Sequence, residues 1–229
     1  MHFSLITPAE GLERAAAHDW ARGAYQEHQW LWRFLPAPEG TARDFLFRRR
    51  DVEGLPRFYV VSKREPTTPT PAWRVNSQAY APRLREGDRL SFELRANPVI
   101  TRVSASGQRA RHDVVMQEKK TLLDKRGLAR WSDWTDGDQP DLTEIVYRTC
   151  GAWLQSRAER LGVSLDEDRL MVEGYTQHRG RRGELRFSTV DFSGALTVAD
   201  PTALLAALHR GVGHAKAFGC GLLLVRPLG

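Results

Sequence analysis

The sequence predicts an α+β fold of two consecutive βαββαβ units, and three observations lead to this prediction. The hydrophobic pattern gives the order strand, helix, strand, strand, strand, and then helix, strand, strand, helix, strand. The length of 229 residues is enough for one large domain or two small ones. Hydrophobic residues make up 41% of the chain and charged residues 27%, which is typical of a protein that buries a core without a disulfide or a metal.

We place the first unit at residues 1–105. It begins with a short strand at residues 1–6, which a Thr-Pro pair ends. A proline-rich stretch at residues 65–71 can form neither a helix nor a central strand. The other predicted elements are a helix at residues 24–34, strands at 45–48 and 57–61 around a turn at 51–56, and a strand at 89–95.

Residues 104–111 are small, polar and basic, and they predict a linker to a second unit at residues 112–229. An apolar stripe predicts a helix at residues 142–161. Asp200 is placed to cap a helix at residues 201–209, whose first residue is a proline. The remaining predicted elements are paired strands at residues 169–177 and 184–192 around a turn at 178–183, and a buried final strand at 222–225.

The charge of the chain indicates an anionic partner. The formal net charge is +6 and the isoelectric point is about 9.7, so nucleic acid is the usual candidate. Arginine supplies most of the 34 basic residues, and its planar guanidinium binds phosphates and guanine edges bidentately. A GC-rich gene would give the same excess of arginine, so charge alone leaves both interpretations open.

Segments for membrane insertion or export are not indicated. The longest run of large aliphatic residues is 222–225, whereas a membrane-spanning helix needs ~20 mostly apolar residues. The N-terminus has no basic start, and two glutamates come early. Cys150 and Cys220 are too few and too far apart for a disulfide framework or a zinc site. We therefore expect a cytoplasmic protein that does not contact a membrane.

Four glycines and a lysine lie close together at residues 211–221. In dinucleotide-binding motifs a strand precedes the glycine loop and a helix follows it, and here the order is reversed. No phosphate-binding P-loop pattern occurs either. Two interpretations remain: a loop whose backbone amides bind phosphate, or a tight connection packed on the sheet. The candidate residues are Gly211, Gly213, Lys216, Gly219 and Gly221.

The predicted turn at residues 178–183 is strongly basic. Cations this close repel one another, which favours a phosphate or groove contact over a solvated basic turn, although both fit the residues. The candidate residues in and beside this turn are Gln177, Arg179, Arg181, Arg182 and Arg186.

Tyr25 and His28 are three residues apart in a predicted helix and therefore share a face. His28 also aligns with Leu31 and Leu35, so a histidine at the edge of the core is the alternative to a functional pair. A functional histidine would titrate near neutral pH. The other histidines show no metal-ligand spacing, and no hydrolase or metalloprotease motif occurs, so we expect no cofactor.

Taken together, four stretches resemble the CasE family, the CRISPR-associated endoribonucleases that process precursor CRISPR RNA in type I-E (Cascade) systems. The similarity runs over nearly the whole chain, from residue 5 to residue 228. In chain order the stretches are YQEHQ at 25–29 followed by LW at 31–32, RDFLFR at 43–48, FELRANP at 92–98, and the glycine-rich segment at 211–223.

The resemblance implies two tandem ferredoxin-like (RRM-like) domains and cleavage of CRISPR repeat RNA at the 3′ base of its stem-loop. It places the catalytic histidine at His28 and a supporting tyrosine at Tyr25, and it directs the basic hairpin into the groove of the RNA stem. The product then stays bound, and the protein becomes a Cascade subunit in contact with other Cascade proteins. We add Arg33 and Arg95 to the candidate RNA contacts.

Two other classes of protein share these features. A non-catalytic subunit that binds an RNA stem-loop would have the same fold and basic patch, with a structural His28. The intact pair of Tyr25 and His28 argues against it. A protein–protein scaffold with incidental basicity is the third class, and binding of a repeat hairpin would exclude it.

Overall fold

The computed structural model describes residues 1–20, 24–103, 106–179 and 186–228, and it describes only the backbone of residues 24–26. Contacts divide the chain into two compact units. The first comprises Met1–Leu84 with Leu205–Leu223, and the second comprises Arg85–Leu204 with Leu224–Gly229. No helix within the described ranges is long and apolar enough to cross a membrane.

The first unit contains an antiparallel sheet with the strand order β2-β3-β1-β4. This is the strand order of a ferredoxin-like sheet, but the proline-rich segment stands where the helix between the third and fourth strands would be. Its elements are β1 (His2–Pro8), α1 (Glu13–Trp20), α2 (Ala24–Leu31), β2 (Phe45–Val52), β3 (Leu55–Ser62) and β4 (Trp73–Ala79).

The hairpin of β2 and β3 confirms the predicted turn. Its two loop residues, Glu53 and Gly54, have φ angles of 54° and 75°. Two consecutive positive φ angles are typical of the tight turn that matches the twist of the flanking strands. The turn fixes the register, so that Phe45 pairs with Ser62 at the far end of the hairpin.

An aromatic cluster forms the core beneath this sheet. The Trp30 ring lies 4.6 Å from Trp73, 4.7 Å from Phe34 and 4.9 Å from Phe58, between ring centroids. Asp19 of α1 satisfies both indoles: Trp30 Nε1 and Trp73 Nε1 donate to its Oδ2 at 3.1 and 3.0 Å. Burial by itself raises the pKa of Asp19, but hydrogen bonds from Arg33 and both indoles outweigh it and hold the pKa below its ordinary value.

Replacing Asp19 with alanine is expected to destabilise the protein by about 2–4 kcal/mol, because two buried indole N–H groups lose their acceptor. Urea unfolding measures the change, and Asp19→Asn should retain much of the stability because it keeps an acceptor oxygen. Asp51→Ala, at an exposed ion pair with Arg49, is the control and should cost under about 1 kcal/mol. Equal losses for the Asp19 and Asp51 variants would contradict this role. Because the pKa is depressed, the stabilisation is present near neutral pH and is lost as the pH falls through the carboxyl pKa.

The second unit contains a sheet with the strand order β11-β5-β10-β8. On the edge of β10 away from β5, β8 pairs with residues 196–198 and β9 pairs with residues 186–193. A separate two-stranded sheet joins β6 to β7. The elements are β5 (Arg89–Ala96), β6 (Val99–Val103), β7 (Arg109–Asp113), α3 (Val114–Arg126), α4 (Leu142–Gln155), α5 (Ala158–Leu161), β8 (Val163–Leu165), β9 (Met171–Arg179), β10 (Arg186–Val198), α6 (Pro201–Arg210) and β11 (Leu223–Pro227).

Strand β5 corrects the prediction of where the units divide. It lies between β10 and β11, so its alternating apolar residues pack in the second unit. Alternation identified the strand but could not say which sheet it joins. The division by contacts therefore falls at Leu84 and Arg85, which differs from the predicted limits of 1–105 and 112–229. Of the predicted linker, residues 109–111 belong to β7, and residues 104–105 lie outside the described residues.

The predicted helix at residues 142–161 is two helices, α4 and α5, which residues 156 and 157 separate. The predicted cap of α6 is confirmed. Asp200 Oδ1 accepts hydrogen bonds from the backbone N–H groups of Thr202 at 2.8 Å and Ala203 at 3.0 Å. These bonds satisfy two N–H groups that the helix itself cannot pair.

Candidate functional site

His28 lies on α2, one turn before the helix ends at Leu31. Its half-buried ring stacks on Phe45 of β2 at 5.7 Å and meets the Trp32 ring edge-on at 6.1 Å. Its Nε2 atom is buried and has no hydrogen-bond partner among the described residues. The histidine therefore packs against aromatic rings at the edge of the core and keeps one ring nitrogen for another partner. Tyr25 lies on the same helix, and its side chain is outside the described residues.

His28 also lines a cavity of about 510 Å³ in the first unit. Trp32, the segment of residues 36–41 and Arg43 also line this cavity, and Glu39 of that segment is the one carboxylate in the lining. A turn shapes the segment, since the hydroxyl of Thr41 donates to the carbonyl oxygen of Pro38 at 2.7 Å. The cavity is large enough for part of a nucleotide chain.

Arg43 sets the electrostatics of this cavity. It is half-buried, burial lowers the pKa of its guanidinium, and it forms no ion pair with a carboxylate in the described part of the chain. Burial lowers the pKa of His28, and the positive charge of Arg43 lowers it further. The imidazole is therefore neutral at pH 7, which is the form that can accept a proton.

Arg43→Gln is expected to move the pH dependence of any reaction at His28. Removing the positive charge takes away one cause of the lowered pKa, so the pKa of His28 rises and the acidic limb of the pH–rate profile moves to higher pH. We also expect a drop of about 10²-fold in the plateau rate, because a cation beside the reacting phosphate is lost. Single-turnover rates across pH measure both effects. Arg14→Gln, at an exposed position of α1, is the control, and an Arg43 profile that matches it would contradict this role.

Lys216 belongs to the same cationic group. It starts a short 3-10 helix, and its ammonium donates to the Arg210 carbonyl oxygen at 2.6 Å. Burial lowers the pKa of Lys216, and the charges of Arg43 and then Arg210 lower it further. Because Arg43 acts on both His28 and Lys216, the three side chains lie in one region of the first unit.

Close packing explains three of the four glycines around Lys216. A Cβ on Gly211 would lie 2.8 Å from a Leu46 methyl, and a Cβ on Gly221 would lie 2.7 Å from the Val212 carbonyl oxygen. A Cβ on Gly219 would lie 3.3 Å from the Phe47 ring. All four glycines, including Gly213, have φ angles near 75° or above, in the left-handed region. Packing on β2 thus accounts for Gly211 and Gly219, and packing within the loop accounts for Gly221. Contact of these glycines with RNA stays a prediction.

The base of the basic hairpin lies in the second unit. Arg179 of β9 and Arg186 of β10 stand directly opposite in the register, both are exposed, and neither has a carboxylate partner among the described residues. Like charges directly opposite destabilise a strand pair unless an anion lies between them. Gln177 donates from Nε2 to the Tyr175 hydroxyl at 3.2 Å. Arg181 and Arg182, which the sequence predicts to lie in the turn, fall outside the described residues.

Two other predicted RNA contacts are engaged in ion pairs. Arg33 Nη1 donates to Asp19 Oδ1 at 2.7 Å. Arg95 binds Asp191 through two hydrogen bonds of 2.9 and 2.7 Å. A carboxylate already offsets the charge of each guanidinium, and binding of RNA by Arg33 and Arg95 stays a prediction.

Sequence reasoning missed Arg43 and the proline-containing wall of the cavity. Arg43 was visible only as the first residue of the RDFLFR stretch. The neighbouring Asp44 suggests an ion pair with Arg43. However, its carboxylate binds Arg64, whose Nε lies 2.8 Å from Oδ2. Only the fold shows that the carboxylate nearest in sequence is occupied elsewhere. In the described ranges, no three His, Cys, Asp or Glu side chains come together as a metal site.

The fold and the site together define a class of protein: two ferredoxin-like units in tandem, the first of which presents a neutral histidine to a cavity that an arginine also lines. A family model described as "CRISPR associated protein" matches residues 1–227. The chain therefore belongs to this CRISPR-associated family, and the resemblance to CasE is confirmed.

Two curated relatives are similar over nearly their whole length. The chain is 31% identical to the CRISPR system Cascade subunit CasE of Escherichia coli K12, over 93% of this chain and 96% of that protein. It is 32% identical to the CRISPR-associated endoribonuclease Cse3 of Thermus thermophilus, over 97% of each. Among solved structures, Thermus thermophilus Cse3 bound to an RNA representing a pre-cleavage complex is 29% identical, with a TM-score of 0.67 over 99% of both chains.

Proposed function

We propose that this protein is a metal-independent endoribonuclease that cleaves CRISPR repeat RNA at the 3′ base of its stem-loop and stays bound to the product as a Cascade subunit. The observation that carries the proposal is the neutral His28, whose ring lines a cavity beside the unpaired cation of Arg43. The names of the relatives support it, since one is a Cascade subunit and the other an endoribonuclease. As an RNA-processing subunit, the protein acts in the cytoplasm.

The chemistry uses the nucleophile that RNA itself carries. The 2′-hydroxyl beside the scissile phosphate attacks the phosphorus, and the bond to the 5′-oxygen of the next nucleotide breaks. His28 takes the proton from the 2′-hydroxyl as general base, a role that typically contributes 10²–10⁴-fold. Its lowered pKa keeps it in the proton-accepting form at pH 7. The products are a 2′,3′-cyclic phosphate, or the 3′-phosphate that follows from it, and a 5′-hydroxyl.

The remaining groups of the site act on charge and orientation. Arg43 and Lys216 offset the negative charge that develops on the phosphorane, because both are partly withdrawn from water and close to His28. Tyr25 orients the ribose or the phosphate, or donates a proton to the leaving oxygen. None of these steps requires a metal ion.

The second unit holds the RNA stem. The deep, narrow major groove of an A-form helix hinders side-chain readout except near its ends, so arginines of the hairpin bind phosphates and accessible guanines near the cut. Arg179 and Arg186 supply the described part of this contact, since they face each other without a carboxylate between them. Positioning by the stem gives specificity, and its tightness keeps the product bound.

Incubating the pure protein with a labelled repeat hairpin in excess EDTA tests this function. We expect cleavage at the 3′ base of the stem at the rate seen without EDTA, with a cyclic-phosphate end that a phosphatase does not remove until acid opens the ring. Strong inhibition by EDTA would overturn the metal-independent chemistry. Tight binding without any cleavage would favour the alternative, a non-catalytic stem-loop-binding subunit in which the aromatic packing of His28 is purely structural.

A further inference from the structure

The hairpin of β6 and β7 is a feature that the proposed chemistry does not use. A two-stranded sheet is marginally stable on its own in water, and this one joins no other strand in the described structure. Its base is fixed: Trp153 Nε1 donates to the Val99 carbonyl oxygen at 3.0 Å, and the N–H of Val114 donates to the Pro98 carbonyl oxygen at 3.1 Å. Its outer part, including Val103 at 62% exposure, is open to solvent.

A groove of about 530 Å³ runs between this hairpin and α3, and we call it the ribbon–helix groove. It is lined by Arg102 and His112 of the hairpin and by Lys120, Asp124 and Lys125 of the helix. The three cations are exposed, and none of them forms an ion pair among the described residues. Asp124 is the one carboxylate in the lining, so the groove carries a surplus of positive charge.

The charges of α3 are distributed unevenly around the helix. On the side that faces α4, Glu118 pairs with Arg148 at 2.8 Å, and Lys119 lies over the Trp131 ring at 4.4 Å. The acid on that side is therefore used inside the protein. The groove side keeps Lys120 and Lys125, which form no ion pair among the described residues, and Asp124 is the one acid beside them. A groove with a surplus of positive charge favours an anionic chain as its occupant.

The groove lies next to the base of the basic hairpin. Asp113, which caps α3, and Met116 of its first turn line a cavity together with Gln177, Arg179 and Arg186. From Met116 to Lys125 the helix rises about 13 Å, at 1.5 Å per residue. Cationic side chains therefore extend from the predicted stem contact along α3 within the second unit, over a distance that spans more than one nucleotide.

We propose that the ribbon–helix groove binds the phosphates of the unpaired RNA strand on the 5′ side of the repeat stem-loop, an inference that rests on the proposed function. A cut at the 3′ base releases the 3′ flank, and the 5′ strand is then the only single-stranded flank still joined to the stem. A second contact with that strand adds to the retention of the product without touching the reacting atoms. Single-strand phosphates suit this groove because separate lysines and an arginine can each meet one phosphate.

The test compares a groove variant, R102Q/K120Q/K125Q, with a control, R14Q/R74Q/R160Q, which loses the same charge at exposed positions away from the groove lining. Each full-length protein is titrated with a bare stem-loop, a 5′-extended stem-loop and a 3′-extended stem-loop. All carry a 2′-deoxy nucleotide at the cut site. For the 5′-extended RNA, we expect the groove variant to lower the slope of log K against log salt by about 2, from about 0.7 for each of three cations. That change in slope corresponds to about 50-fold weaker binding of the 5′-extended RNA by the groove variant than by the wild-type protein at 0.15 M salt.

The bare stem-loop separates this proposal from the proposed function. If the wild-type protein binds the bare stem-loop and the 5′ extension adds no affinity, the groove proposal is overturned and the function stands. Equal losses on all three RNAs, or a loss confined to the 3′-extended RNA, also overturn it. Wild-type protein that binds no stem-loop overturns both proposals. The single variant Lys120→Gln is a mild change on an exposed helix face, and it should lower the slope by about 0.7, which keeps the test valid if the triple variant folds poorly. Unchanged RNA binding with impaired assembly into Cascade would assign the groove to a protein contact instead.

Discussion

Replacing His28 with alanine is expected to lower the single-turnover cleavage rate by at least 10²–10⁴-fold, while the affinity for the stem-loop changes little. The rate falls because the proposed general base is lost, and His28 is the one imidazole in the lining of the described cavity. The affinity persists because the stem contacts are placed in the second unit. Rapid mixing with labelled repeat hairpin gives the rate, and filter binding gives the affinity.

His18→Ala removes an imidazole from an exposed position of α1 and is the matched control for this experiment. The wild-type pH profile gives a second measurement. A general base must be neutral, so the rate should rise with pH through the lowered pKa of His28 and reach its plateau at a lower pH than an ordinary histidine would give. A rate that instead falls over this range would identify His28 as the general acid. Cleavage by the His28 variant at the wild-type rate would remove it from the mechanism.

A 2′-deoxy substitution at the nucleotide 5′ of the scissile phosphate is expected to block cleavage completely. The reaction has no other nucleophile in the proposed chemistry, so no product should form even after prolonged incubation. Binding should stay close to that of the all-RNA hairpin, because the stem contacts are unchanged. The measurement is product formation on a denaturing gel with excess protein.

The control for the deoxy substrate is the same substitution one nucleotide further along the strand, which leaves the nucleophile in place. That RNA should be cut at nearly the normal rate. Cleavage of the first substrate would mean that water or a protein group attacks the phosphorus. The role of His28 would then be activation of that water, which the Arg43 variant and the pH profile would still test.

Local sequence signals predicted several elements of both sheets. Alternating apolar residues identified β5, because one face of this strand is buried. Strand-like segments on either side of a turn signal identified β2 and β3. Capping by Asp200 followed by Pro201 identified the start of α6. These signals lie within a few residues of each other and need no knowledge of the distant chain.

Other elements gave little local signal. Helix α3 carries charged residues on several sides, and Val114 and Val115 are its only buried residues. It therefore lacks a broad apolar stripe. Its caps, Asp113 and Gly127, were the available signal. β4 is equally weak, because Trp73 is its single buried residue. Strand β7 is polar and has no buried residue, so the sequence predicts a linker over residues 104–111.

By itself, the sequence determined the two-unit α+β architecture, the family and the candidate histidine, because these depend on patterns and motifs that are read in order along the chain. The tertiary structure decided which sheet β5 joins and which carboxylate each arginine finds. It also decided that Arg43 lies beside His28 without a counter-ion in the described part of the chain. The physical reason is that burial and electrostatic pairing depend on distances in space, and residues far apart in the chain set those distances.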